Sequence, residues 1–229
     1  MKKSLIKVVA RPEILLIGPV KSPVSQVIYP LYVAVKKIYS NPDSLKILGR
    51  EIGKLVKKIG GKKIIGCETS GLVLAAAASI EVNLPMCYVR KNKAVFPRYT
   101  VEGIVKKGER VVLVDDAIVK GNTKLTFIKH IKDQGGVVAG IVTMLDVPKF
   151  KNSEARKKLK KMGIACHSLF TWLEWWQAFH KAGLMSDAMA AIAYDAEDDI
   201  MKWQGKNKEA RIRWQWFNKV KREQHNRFI

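Results

Sequence analysis

Arg110-Val111-Val112-Leu113-Val114-Asp115-Asp116-Ala117-Ile118-Val119-Lys120-Gly121-Asn122-Thr123 is an apolar run ending in two adjacent carboxylates and a short turn that opens a helix. Val111 to Val114 is mostly β-branched and bounded by polar residues, the pattern of a strand buried on both faces in a parallel sheet. Asp115 and Asp116 then sit at its carboxyl end, the edge where open α/β sheets bind ligands. Leu125, Ile128 and Ile131 recur at near-helical spacing until Gly135-Gly136, which places Thr123 near a helix N-terminus. Free N–H groups and the helix dipole attract anions there, and Gly121 allows close backbone approach. A carboxylate pair above an anion cradle suits a ligand with hydroxyls or a metal on one side and a phosphate on the other. The plainer alternative is a buried strand ending in a solvated turn.

The flanking sequence repeats the strand–helix alternation. Asn41 predicts a helix cap with Pro42 at the first helical position, and Leu45, Leu48, Ile52, Leu55 and Ile59 mark one apolar face up to Gly60-Gly61. Lys62 to Gly66 reads as a short strand, Cys67-Glu68-Thr69-Ser70-Gly71 as a loop and Leu72 to Ile80 as an apolar helix. Val137 to Leu145 supplies another strand, and Lys149 to Lys161 a basic, solvated surface helix. This order predicts an α/β fold with a central, mostly parallel sheet flanked by helices. Three segments are expected: residues 1–40 at the amino end, a core over 41–166, and a helical, basic extension over 167–229.

With 229 residues, 48% of them hydrophobic, the chain can bury a substantial core. Its three cysteines, Cys67, Cys87 and Cys166, lack metal-ligand spacing and read as reduced core or near-core thiols of a cytoplasmic protein. Lys7 and Arg11 interrupt any apolar leader, and no stretch approaches the roughly 20 apolar residues of a membrane span. His130, His167, His180 and His225 form no ligand pattern, and His130 is expected on the solvated side of its helix. All six tryptophans follow residue 171, and Trp203, Trp214 and Trp216 are interleaved with basic residues. Helices are expected at about 168–181 and 186–221. Trp172, Trp175, Trp176 and Phe179 at helical spacing suit packing or a subunit contact. The formal charge of +22 leaves nucleic-acid binding by the tail as the sharper alternative.

The stretch around Asp115 resembles the ribose-phosphate signature of the type I phosphoribosyltransferases: two acidic residues, two apolar ones, then a Thr- and Gly-rich turn. Tyr88-Val89-Arg90-Lys91-Asn92-Lys93 followed by Val101-Glu102-Gly103 is similar to the basic loop of the orotate phosphoribosyltransferases. Gly18 to Pro23, Tyr29 and Tyr39 to Asp43 resemble the entry of their amino-terminal hood. The resemblance implies that Asp115 and Asp116 face the ribose hydroxyls of phosphoribosyl pyrophosphate (PRPP), and that Val119, Lys120, Gly121, Asn122 and Thr123 hold its 5′-phosphate. Thr69, Ser70, Gly71, Arg90, Lys91 and Lys93 would take the pyrophosphate. Lys93 and Arg98 join Asp115 and Asp116 as catalytic candidates.

It further implies Mg2+, held by substrate oxygens with Asp115 or Asp116 acting only through water, and a homodimer that shares its basic loops. Val119 and Val147 fall at base-contacting positions where the family carries Thr and Arg, and Ile17 stands where it carries Lys. Phe96-Pro97-Arg98-Tyr99 departs from the family's mobile loop. The expected activity is transfer of the phosphoribosyl group to a nucleobase, orotate first, giving orotidine 5′-monophosphate for pyrimidine synthesis. The alternatives are a different base, or a PRPP-sensing regulator that binds nucleic acid through Lys208, Arg211, Arg213 and Trp214.

Overall fold

The computed structural model describes residues 3–21, 28–92, 100–147, 150–198 and 203. The elements are α1 (Lys3–Val9), β1 (Leu15–Lys21), β2 (Ile28–Val33), α2 (Pro42–Lys58), β3 (Lys63–Cys67), α3 (Ser70–Val82), β4 (Met86–Val89) and β5 (Val101–Glu102). They continue with β6 (Arg110–Ile118), α4 (Asn122–Asp133), β7 (Val137–Asp146), α5 (Glu154–Lys161), β8 (Ala165–Thr171), α6 (Trp172–Lys181) and α7 (Asp187–Asp198). They fall into two compact units, one within 1–8 and 35–174, the other within 9–34 and 175–229.

The larger unit is built on a six-stranded sheet of order β5-β4-β3-β6-β7-β8. Every neighbouring pair is parallel except β4 and β5. The central strands β3 and β6 are hydrophobic on both faces because helices cover both, as parallel sheets require. Ile65, Leu113 and Ile141 from the sheet pack with Phe127, Ile128 and Ile131 of α4 and Leu159 of α5 in one cluster. The expected Asn41 cap is present: its side-chain oxygen accepts from Ser44 N at 2.8 Å, and Leu48, Ile52 and Val56 line the buried face of α2.

Two expected elements shift. The helix anticipated from residue 168 begins at Trp172, because Ser168 to Thr171 extend β8 alongside β7. Thr171 and Glu174 then form a reciprocal capping box, with Thr171 N donating to Glu174 Oε2 at 2.7 Å and Glu174 N to Thr171 Oγ1 at 3.2 Å. The stretch anticipated as a solvated helix over 149–161 narrows to α5, which buries Ala155 and Leu159. Cys67 and Cys87 are buried free thiols, whereas Cys166 is exposed on the edge strand β8.

In the smaller unit β1 and β2 form an antiparallel hairpin. Tyr29 of β2 packs with Ala196 of α7 and with Trp203. Trp175, Trp176 and Phe179 are buried, as an aromatic stripe at helical spacing implies, and the Trp175 indole donates to Val9 O at 3.2 Å. Trp172, which falls in the larger unit, is buried as well. The second tail helix is described over Asp187–Asp198. Lys208, Arg211, Arg213, Trp214 and Trp216 lie outside the described residues, as do Ser22 and Pro23. No described helix is long and apolar enough to cross a membrane.

Candidate active site

The sheet delivers the two carboxylates by the unequal lengths of its strands. β3 pairs with β6 only as far as Gly66 opposite Val114, while the longer β7 stays paired with β6 to Ile118 opposite Asp146. The strand expected to stop at Val114 therefore runs on, and Asp115 and Asp116 lie within it, just past the end of its shorter neighbour.

The two carboxylates have different surroundings. Asp115 is buried at 7% exposure, and Oδ1 accepts the N–H of Asp116 at 2.8 Å. Its Oδ2 forms an ion pair with Nζ of Lys124, which is buried in the first turns of α4. Burial pushes the Asp115 carboxyl upward, Lys124 pulls it back and Asp116 pushes it up again. Burial pulls Lys124 down, but Asp115 and Cys67 outweigh that and raise its pKa. Asp116 is half-buried, and among the described residues its carboxylate accepts no hydrogen bond. Tyr39 stands near both: its hydroxyl donates to Ser70 O at 3.3 Å, and its ionisation is suppressed by burial, then Asp116, then Asp115.

Beside them, the expected five-residue loop contracts to Glu68-Thr69, since Cys67 ends β3 and Ser70 starts α3. Thr69 is exposed, whereas Gly71 is buried against β6. A Cβ on Gly71 would lie 2.3 Å from Val114 O and 3.0 Å from Asp115 Cα, so only glycine lets α3 start this close to the carboxylates. Gly71→Ala is expected to cost about 1–3 kcal/mol of stability by overpacking. Thermal unfolding should register that loss as a lowered Tm.

The basic segment is held rather than free. Glu68 Oε2 accepts from Lys91 N at 3.0 Å and its Oε1 lies 3.6 Å from Arg90. The Arg90 guanidinium also binds Glu102 at 2.9 Å and the Tyr88 hydroxyl at 3.1 Å. His130, expected in solvent, is half-buried with Nδ1 3.1 Å from Arg90 O. Lys91 is exposed. Lys93, Arg98 and the rest of 93–99 lie outside the described residues.

After β6 the turn reaches α4 through Gly121, whose φ of 92° is the left-handed conformation glycine tolerates. Lys120, Asn122 and Thr123 are exposed, and the Lys120 ammonium stands 5.8 Å from the Phe150 ring centroid. Of the two valines expected at the base, Val119 is 40% exposed. Val147 is buried at 6%, its N–H donating to Ile118 O at 3.1 Å. Val147 thus faces the interior because its backbone continues the β6–β7 pairing.

Residues 34–180 match the family model described as the phosphoribosyl transferase domain. The chain belongs to this family. Its sheet with flanking helices is the fold of the type I phosphoribosyltransferases, and it is an enzyme of that class. An orotate phosphoribosyltransferase of Roseobacter denitrificans is 30% identical over 185 residues, which cover 79% of this chain and 81% of the relative. An orotate phosphoribosyltransferase structure from Aeropyrum pernix superposes with a TM-score of 0.60 at 25% identity, covering 78% of this chain and 99% of that one. The Leishmania donovani UMP synthase structure gives a TM-score of 0.73 at 24% identity, covering 85% of this chain and 41% of that chain, a likeness of fold.

The sequence signature over Asp115 to Thr123 stops short of Lys124, the buried partner of Asp115, and nothing in it places Tyr39 beside the carboxylates. Lys124 was legible: with Phe127, Ile128 and Ile131 it falls on the one buried stripe of α4.

Proposed function

We propose that this phosphoribosyltransferase joins orotate to PRPP, releasing pyrophosphate and forming orotidine 5′-monophosphate. The likeness to an enzyme named orotate phosphoribosyltransferase over 79% of this chain carries this reading. In it, Asp115 and Asp116 face the ribose hydroxyls, residues 119–123 take the 5′-phosphate, and Thr69, Ser70 and Gly71 with Arg90, Lys91 and Lys93 receive the pyrophosphate. Arg98 supplies a further cation. Val119 offers the apolar surface beside the base.

Displacement at C1 places oxocarbenium character on the ribose and negative charge on the departing pyrophosphate. Positioning and electrostatic stabilisation therefore dominate the rate. Asp116 brings an unsatisfied carboxylate to the ribose face, and the α3 N-terminus brings free N–H groups to the leaving group.

The donor set fits magnesium. Among the described residues no three His, Cys, Asp or Glu side chains gather into a cage, and Asp116 stands open. Magnesium takes one or two carboxylates, retains water and fills its shell with substrate oxygens. When bound, it would neutralise charge on the leaving pyrophosphate. A homodimer, cytoplasmic residence and a role in pyrimidine synthesis belong to the same reading.

Mass spectrometry of products after incubation with PRPP, magnesium and orotate, uracil, adenine, guanine, hypoxanthine or xanthine tests it. Orotidine 5′-monophosphate is the expected product. A different nucleotide would replace orotate as the substrate, and no nucleotide at all would overturn the assignment.

A further inference from the structure

Three consecutive carbonyls, the last of β6 and the first two of the turn after it, are held on one side by α5 and its cap. Arg156 Nη2 donates to Ile118 O at 2.7 Å, Arg156 Nε to Val119 O at 2.7 Å, and Ser153 Oγ to Lys120 O at 2.7 Å. The same hydroxyl caps α5 by accepting from Arg156 N at 3.4 Å. Asp146 Oδ1, 2.5 Å from Arg156 Nη2, fixes the guanidinium from the end of β7. Arg156 is largely buried, with 10% of its side chain exposed.

These peptides are trans, so each C=O is antiparallel to the N–H of the next residue. Carbonyls 118, 119 and 120 turned toward α5 therefore send the N–H groups of Val119, Lys120 and Gly121 the opposite way. None of the three N–H groups donates to another group among the described residues. Gly121, at a φ of 92°, curves the run. Successive N–H groups curved through a left-handed residue make an anion-binding concavity.

We propose that Arg156, seconded by Ser153, is a positioning residue for phosphate binding: it holds the carbonyl side of residues 118–120 so that the N–H side converges on the 5′-phosphate. It acts through the turn and touches no substrate. Five donors in a rigid fork let one guanidinium hold several oxygens at once, which a lysine ammonium cannot do in the same geometry. The inference rests on the reading of 119–123 as the 5′-phosphate site.

Calorimetric titration of ribose 5-phosphate and, separately, of pyrophosphate with magnesium tests it on the wild type, Arg156→Met, Arg156→Lys and Ser153→Ala. Arg156→Met is expected to weaken ribose 5-phosphate about 10–100-fold, because several oriented donors are lost together. Pyrophosphate should bind as before, and KM for PRPP should rise while kcat holds. Arg156→Lys should recover part of the loss. Ser153→Ala, which removes the bond to Lys120 O and the weaker cap on α5 but leaves the guanidinium in place, should weaken ribose 5-phosphate alone by about 3–10-fold and serves where Arg156→Met does not fold. Equal weakening of both ligands, or of neither, would overturn the positioning role. Wild-type protein that binds pyrophosphate but not ribose 5-phosphate would instead overturn the phosphate-site reading, and the inference with it.

Discussion

Asparagine in place of Asp116 is expected to lower kcat/KM for PRPP about 10²–10³-fold with little change in Tm, because the proposed ribose-facing charge is lost from a carboxylate that accepts no hydrogen bond among the described residues. Asparagine in place of Asp115 should cost comparable activity and also stability. Its carboxylate is the buried partner of Lys124, and an ion pair broken on one side leaves the other charge stranded. The adjacent carboxylates thus separate by measurement: steady-state kinetics should report both variants, calorimetry only Asp115→Asn. Equal Tm losses for the two would remove the distinction between them. Retained turnover in both would remove them from the ribose role.

Lys124→Met is expected to lower stability by about 3–5 kcal/mol, since Asp115 keeps its buried place without a cation. The double variant Asp115→Asn/Lys124→Met should regain much of that stability, because neutral groups of similar volume replace a buried pair at little net cost. It should regain no activity. Chemical denaturation of the two single variants and the double closes the cycle, and additive losses would mean that the two side chains do not act as a pair.

The sequence carried the sheet and the ligand-binding edge because both rest on local signals. Val111 to Val114 is apolar in every position, and Gly121 and the Asn41-Pro42 pair mark a turn and a helix start whatever surrounds them. The extent of β6 was not local: Asp115 to Ile118 stay in the sheet because β7 continues beside them. The start of α6 was obscured because the tryptophan spacing extrapolates backward through Ser168, although Thr171-x-x-Glu174 carried the correct signal. Arg156 was hidden for a different reason. A lone arginine in a lysine-rich helix reads as solvated, and only the fold brings the 118–120 carbonyls to it.

The pairing of Lys124 with Asp115 also bears on how the proposed site would meet a polyphosphate in solution. Two neighbouring acids would ordinarily repel a polyphosphate at the mouth of the site. Here Lys124 offsets one of them, so on the proposed reading an incoming polyanion meets Asp116 as the uncompensated carboxylate of the pair, on a chain of formal charge +22. Long-range attraction then outweighs local repulsion during diffusional approach. Added salt, which screens charges beyond about 8–10 Å, should slow PRPP association rather than speed it.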